Sequence, residues 1–447
     1  MQRIKSFNFV FCLLAIVMLV TVFSPVATIA QENQQVTEVW PSDESPTGYY
    51  VTFRFTDPEA SRVRLYGEWW FTDMAHASVR TSLNATPDEW QDGYTVWKGS
   101  QQWPTVDMVK DEDTGVWEYT IPLPTGTWNY RFYVGGSPDA ELTDYTDAVV
   151  TWDPNNPPML YDYEADELTN DEYLSSVYVP WDSEKQANTI RRDEEAPRDS
   201  ENGEAFFSEV TTDDGFVASF GIYLPYEFDA ERAEPYPVFV IMHGGGGSES
   251  GWFNNGLVNI LDNMIAEGCL EPTVVVTPNG TDAEWNRPLI LDSVVNYILP
   301  HMVENYNVAE DAAQRAFGGL SMGGATTMYA FFHNTDDFDY FLALSPPMTE
   351  DVQPDYAVEN LADKTLWFGY GLWDFVKLRS LYSLFPDESG ELVLLSQARR
   401  PEGSLYEYLI KLSEIGVPFT NIELPFGHDW VLWREAIVDA FDNVLWQ

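Results

Sequence analysis

The run Gly319-Leu320-Ser321-Met322-Gly323-Gly324 joins an apolar strand pattern, Arg315 to Leu320, to a helical one that opens at Met322. A serine between glycines at a strand-to-helix junction forces a sharp reversal, because side chains at 319 or 323 would collide there. The hydroxyl then stands clear at the carboxyl end of a strand, the setting of a nucleophile elbow. The rest of the C-terminal half agrees with that context. Tyr236 to Met242 and Thr273 to Thr277 are continuous apolar runs, as expected of parallel strands covered on both faces. Helical periodicity follows at Trp252 to Ala266, Leu291 to Tyr306, Gly324 to Phe332, Leu405 to Ile415 and Trp430 to Leu445. Alternation of this kind over 206–447 predicts a doubly wound, mostly parallel sheet.

The preceding sequence has a different character. Tyr50 to Phe55, Arg62 to Tyr66, Val116 to Ile121 and Trp128 to Tyr133 alternate with period two between Asp, Pro and Gly turns, which predicts a β-sandwich over 36–155. Residues 156–205 are rich in Asp, Glu, Pro and Asn and read as an acidic linker, with Ser175 to Pro180 as their one strand. Residues 1–30 combine Arg3 and Lys5, an apolar stretch from Phe7 to Phe23 and small residues up to Ala30. They read as a secretory signal peptide, since the apolar stretch falls short of the roughly 20 residues of a comfortable membrane span. The expected location is secreted or periplasmic, with no membrane association after cleavage.

Acidic residues number 72 against 23 basic ones, for a formal net charge of −49. Nucleic acid is excluded as a partner on that ground. The acids are spread along the chain among many aromatics, so they describe a solvated surface rather than disorder. Beyond the signal only Lys98, Lys110, Lys185, Lys364, Lys377 and Lys411 remain, a scarcity that suits high salt. Once Cys12 leaves with the signal, Cys269 is the only cysteine, which excludes an intramolecular disulfide; its place between a helix and a strand reads as buried filler.

A nucleophilic serine needs a base, and the choice is His76, His243, His301, His333 or His428. His76 lies in the sandwich, His301 and His333 lie in helical stretches, and His243 belongs to a glycine run. Only His428 follows a strand, Ile422 to Leu424, and precedes a helix, which places it on a loop at the carboxyl edge of the sheet. The acid expected between serine and histidine in chain order is Asp374, just after the strand Leu366 to Tyr370; Glu350 and Asp351 are weaker candidates, and Asp363 lies at the wrong end of its strand. Oxyanion donors are expected from the amide of Met322 and from Gly244 or Gly245 in the run Met242-His-Gly-Gly-Gly-Gly247. That run lacks the Gly-Lys-Ser/Thr ending of a phosphate loop. No metal or cofactor is required by this chemistry.

The strings Val238 to Gly247, Gly318 to Gly324, Gly371 to Phe375 and Gly427 to Arg434 together resemble the putative esterase family of α/β-hydrolases, which includes feruloyl esterases, esterase D and enterochelin esterase. The resemblance covers 206–447 and implies an α/β-hydrolase fold with Ser321, Asp374 and His428 as its triad. Asp113 to Tyr119 and Gly126 to Phe132 resemble the immunoglobulin-like module, related to glycogen-binding modules, that often precedes such esterases; it implies glycan contact by the N-terminal unit. Trp252, Trp285, Trp373 and Trp430 lie close in sequence to the expected catalytic loops, and their faces suit a cinnamoyl ring or a sugar. Neutral feruloyl or acetyl esters of plant polysaccharide fit this acidic chain better than an anionic siderophore trilactone. Acyl transfer to a sugar and non-catalytic carbohydrate binding on the same scaffold are the competing readings. The charge pattern predicts activity retained in molar salt, which rate measurements across a salt series check; loss of activity there with full activity in dilute buffer contradicts salt adaptation.

Overall fold

The structure is a computed structural model and describes residues 36–73, 85–96, 104–160, 174–348, 361, 363–374, 376–377 and 404–447. The segment read as a signal peptide and His76 lie outside the described residues. Among the described residues, no helix is long and apolar enough to cross a membrane.

The N-terminal part is β-rich. Its strands are β1 Glu38–Pro41, β2 Tyr49–Thr56, β3 Val63–Gly67, β4 Phe71–Thr72, β5 Thr95–Val96, β6 Val106–Asp107, β7 Val109–Lys110, β8 Val116–Pro122, β9 Gly126–Gly135, β10 Ala148–Thr151 and β11 Ser175–Val179. One sheet has the order β1-β2-β8-β7 and a second the order β10-β9-β3-β6, with β11 also on β9. Alternation sends Phe53 and Phe55 of one sheet against Tyr130 and Phe132 of the other, with ring centroids 4.7 and 4.9 Å apart. Two sheets thus close face to face over an aromatic core.

The C-terminal part is an eight-stranded sheet. It comprises β12 Glu204–Thr211, β13 Val217–Leu224, β14 Val238–Met242, β15 Val274–Pro278, β16 Arg315–Leu320, β17 Tyr340–Leu344, β18 Thr365–Gly371 and β19 Thr420–Leu424. The spatial order is β12-β13-β15-β14-β16-β17-β18-β19. The two β13 pairings are antiparallel, and every pairing from β15 to β19 is parallel. Helices α1 Gly251–Asn254, α2 Leu257–Glu267, α3 Arg287–Ser293, α4 Leu299–Tyr306, α5 Met322–His333, α6 Leu405–Ile415 and α7 Trp430–Asn443 complete it. Period-two alternation divides each parallel strand between two cores. Phe239 and Ile241 join the cluster of α2 and α7, whereas Val238, Val240 and Met242 join that of α3 to α6. Helices on both faces explain why these strands are apolar throughout. The cluster under α2 and α7 is continuous with the aromatic core of the N-terminal sheets.

The parallel direction fixes where loops can carry chemistry. Met242, Leu320, Leu344, Gly371 and Leu424 end their strands at one edge, and the residues following them share it.

The segment 156–205 is not a free linker. β11 extends the second N-terminal sheet along β9. Further on, Glu195 accepts the Thr127 N–H at 2.6 Å and stands 3.0 Å from Arg434 of α7, with both side chains only 2% exposed. Arg192 donates to Glu435 at 2.6 Å and to the Thr125 carbonyl at 2.7 Å. Acidic composition suggests solvation, but the segment exchanges ion pairs with α7 some 240 positions away: its Glu195 meets buried Arg434, and its Arg192 meets Glu435. Cys269 is also corrected: it is exposed rather than buried, because it lies in the turn just after α2.

Removing one member of a buried ion pair leaves the other uncompensated, at a cost of about 3–5 kcal/mol. Arg434→Met is therefore expected to lower unfolding stability by an amount of that order, and adding Glu195→Gln to recover part of it; urea titrations of the two variants check both.

Candidate active site

Ser321 is the residue between β16 and α5, and its backbone lies at φ 50°, ψ −115°. That conformation is strained for a side-chain-bearing residue, by about 1–3 kcal/mol, and persists only where the surroundings over-determine it. They do so here. Ser321 N–H donates to Leu344 O at 2.9 Å, Ala325 N–H donates back to Ser321 O at 3.0 Å, and Gly323 N–H donates to His243 O at 3.1 Å. A Cβ on Gly319 would lie 2.6 Å from the Gly323 carbonyl carbon, and one on Gly323 would lie 2.5 Å from His243 O. Both glycines are thus steric requirements of the turn.

Ser321 Oγ lies 3.0 Å from His428 Nε2, and His428 Nδ1 lies 3.0 Å from Asp374 Oδ1. Asp374 is fully buried, and its Oδ1 also accepts the Val376 N–H at 3.0 Å. A carboxylate facing Nδ1 keeps the ring hydrogen there, which leaves the Nε2 lone pair for the serine proton. The two loops are zipped together by backbone: Leu372 N–H donates to Leu424 O at 2.7 Å and Trp373 N–H to Phe426 O at 3.1 Å. Asp429 then caps α7, accepting the Leu432 N–H at 3.0 Å and the Gly427 N–H at 3.2 Å. Of the other acids weighed, Glu350 and Asp351 lie outside the described residues, and Asp363 precedes β18, at the opposite edge.

The glycine run borders the serine. A Cβ on Gly244 would come within 3.1 Å of the Ser321 Cβ, and one on Gly245 within 3.5 Å of the Met322 side chain. A side chain is therefore crowded out at Gly244, whereas at Gly245 the contact would be an ordinary one; Met322 is the first residue of α5, where the helix dipole favours negative charge. His243 shapes this run rather than serving as a base. Its Nε2 accepts the Gly280 N–H at 3.0 Å, which fixes the ring hydrogen on Nδ1, 2.7 Å from Gly244 O. Burial pushes its pKa down to about 4.

The tryptophans divide. Trp252 is 1% exposed and donates to Met242 O at 2.9 Å, so it supports the glycine run from below and is not a substrate contact; α1 turns it into the core. Trp285, Trp373 and Trp430 are partly exposed, with Trp285 packed on His243 at 5.1 Å and Trp430 on Trp252 at 5.3 Å. One neighbour of the histidine, and the residue that holds that neighbour, carried no sequence signal for this role. Trp433 meets the His428 ring at 5.0 Å, nearly perpendicular, and donates to Ser345 Oγ at 3.1 Å. Ser345, at φ 47°, directly follows β17, whose last residue, Leu344, accepts the Ser321 N–H. Helical spacing alone marks Trp433 as buried, which it is, but cannot show what it touches.

His243 titrates below the ordinary histidine value of about 6.5, so its contribution to stability is fully present above that pH and is lost as pH falls toward 4. Wild type is expected to lose stability relative to His243→Asn across that window, in paired denaturant titrations at a series of pH values; parallel curves contradict the assignment.

Residues 217–379 match the model of the family described as Putative esterase. Among curated proteins, endo-1,4-β-xylanase Y of Acetivibrio thermocellus is 35% identical over 157 residues, 32% of this chain and 14% of that protein. An endo-1,4-β-xylanase/feruloyl esterase of Xylanibacter ruminicola is 31% identical over 175 residues, 35% of this chain and 23% of that one. The alignments thus span less than a quarter of either relative. The crystal structure of the enterobactin esterase of Shigella flexneri, solved with enterobactin, is 16% identical with a TM-score of 0.51, covering 95% of this chain and 99% of that one. Its structure with 2,3-dihydroxy-N-benzoyl-serine gives 15% and 0.52, over 92% and 96%. At such identity the likeness is one of fold, and it extends over the β-rich part as well as the α/β-hydrolase sheet. The matched segment 217–379 carries Ser321 and Asp374, and His428 reaches Ser321 from the loop after β19, beyond that segment.

Proposed function

We propose that this chain is a secreted serine carboxylesterase that hydrolyses feruloyl or acetyl esters of plant polysaccharide through an acyl-enzyme. The observation that carries the reading is the continuous contact from Ser321 Oγ to His428 to buried Asp374, 3.0 Å at each step. His428 Nε2 takes the serine proton as Oγ attacks the ester carbonyl; Asp374 holds the imidazole and stabilises the imidazolium that forms. Negative charge on the carbonyl oxygen is met by the amides of Met322 and of Gly244 or Gly245. Collapse expels the alcohol, which takes the proton from His428. Water, deprotonated by the same imidazole, then attacks the acyl-enzyme and releases the acid.

The substrate class is supported by the printed activities of the two curated relatives, xylanase and feruloyl esterase. The formal charge of −49 repels anionic esters. Partly exposed Trp285, Trp373 and Trp430 offer faces for a cinnamoyl ring or sugar. The N-terminal sheets are read as an immunoglobulin-like module with a capacity for glycan, and residues 1–30 as a removed export signal. Hydrolysis of a catechol trilactone is the second reading, favoured by the near full-length likeness in fold to the Shigella flexneri enterobactin esterase.

Release of p-nitrophenol from a short-chain aryl ester is expected from wild type and absent from Ser321→Ala. Asp374→Asn is expected to lower kcat by about 10⁴ without unfolding the chain, since the wrong imidazole tautomer results. Methyl ferulate, acetylated xylan and a catechol trilactone, assayed side by side, separate the substrate readings. Wild-type release no greater than that of Ser321→Ala overturns the enzyme assignment.

A further inference from the structure

We propose that the N-terminal β-rich part and the strap at 186–196 act as positioning elements for His428, so that the reactive base is held in register from outside the hydrolase sheet. This rests on the serine-esterase reading above.

His428 sits on an irregular loop, 425–429, whose inner flank is fixed by Leu372 and Trp373. Its outer flank is fixed by residues that belong to neither the sheet nor its helices. Thr95, 4% exposed on β5, donates its hydroxyl to Pro425 O at 2.6 Å across 330 positions of sequence. A buried hydroxyl needs an acceptor, so this bond defines where the loop carbonyl can lie. Arg192 places its guanidinium 5.5 Å from the centre of the Phe426 ring, two residues before His428. That guanidinium is not free to wander, being bound to Thr125 O and Glu435 at 2.7 and 2.6 Å.

The helix after the loop is pinned by the same elements. Arg434 donates to Thr127 O of β9 at 2.8 Å and stands 3.0 Å from Glu195. Trp433, one residue earlier in α7, packs on the His428 ring. Loop and helix are therefore tied at three points, Pro425, Phe426 and Arg434, to strands β5 and β9 and to the strap. The elbow that carries Ser321 is anchored separately, by β17 and by the glycine run. The 3.0 Å between Oγ and Nε2 is thus the distance between two parts with different anchors, linked to each other through Trp433 and Ser345, and the N-terminal contacts set one of them. A detachable sugar-binding module would have no such reach. Rates respond steeply to small displacements of this kind, with a 1 Å misplacement worth about 10²-fold.

The test uses the full chain. Thr95→Val keeps the shape and removes the donor; Thr95→Ser keeps the donor. With p-nitrophenyl acetate, Thr95→Val is expected to lower kcat by about tenfold with KM within about twofold of wild type, and Thr95→Ser to restore kcat. Hydrogen exchange in the segment 424–430 is expected to quicken in Thr95→Val, and in Arg192→Lys as a milder second variant, while exchange at α5 is unchanged. A Thr95→Val enzyme with wild-type kcat overturns the proposal, as does a rate loss that Thr95→Ser shares or that merely follows the unfolded fraction. If wild-type turnover proves independent of Ser321, the esterase reading fails by itself. Exchange then decides this inference, and unchanged exchange in the Val variant overturns it.

Discussion

A serine at φ 50° between a parallel strand and a helix exists only where the chain around it has no side chains to spare, and much of this fold is arranged to supply that absence. Gly319 and Gly323 approach each other too closely for any Cβ, and Gly244 lies against the serine itself. The strands on either side have to be parallel for His243, Ser321, Ser345, Asp374 and His428 to emerge at one edge. Parallel strands in turn demand helices on both faces, which is why α2 and α7 cover one side and α3 to α6 the other. The strain at Ser321 is held by backbone hydrogen bonds from three neighbouring segments, so the fold itself sets the position of this serine.

The two histidines near the serine show how environment divides roles between identical side chains. His243 has both ring nitrogens committed to backbone and is buried, which holds it neutral and makes it a brace for the glycine run. His428 has one nitrogen on a buried carboxylate and the other facing a hydroxyl. Only the second stands between a hydroxyl and a carboxylate. Trp433 packs against that ring and is itself bonded to Ser345 Oγ, and its neighbour Arg434 donates to Thr127 O of β9. The core agrees with this continuity, since one apolar cluster runs from Phe53 of β2 to Ile437 of α7.

Much of this was legible in the sequence. Glycines flanking Ser321 imply a reversal because the exclusion is local, and apolar runs bounded by helical patterns imply parallel strands because burial on both faces leaves no alternative. His428 and Asp374 were reachable by asking which residues follow strands, a question of order along the chain. For Trp252, proximity in sequence to the glycine run says nothing of direction, and α1 turns that indole inward. Acidic composition marks the segment 156–205 as solvated, yet Glu195 finds Arg434, a partner that composition does not reveal.

By itself, the sequence determined the class of fold, the elbow and the chain order of serine, acid and histidine, because periodicity and steric exclusion act between near neighbours. Tertiary structure alone decided that Thr95, Arg192 and Glu195 converge on the loop and helix of His428. Those contacts join residues up to 330 positions apart, and a hydroxyl or a carboxylate carries no mark in the sequence of which distant partner will take it out of water.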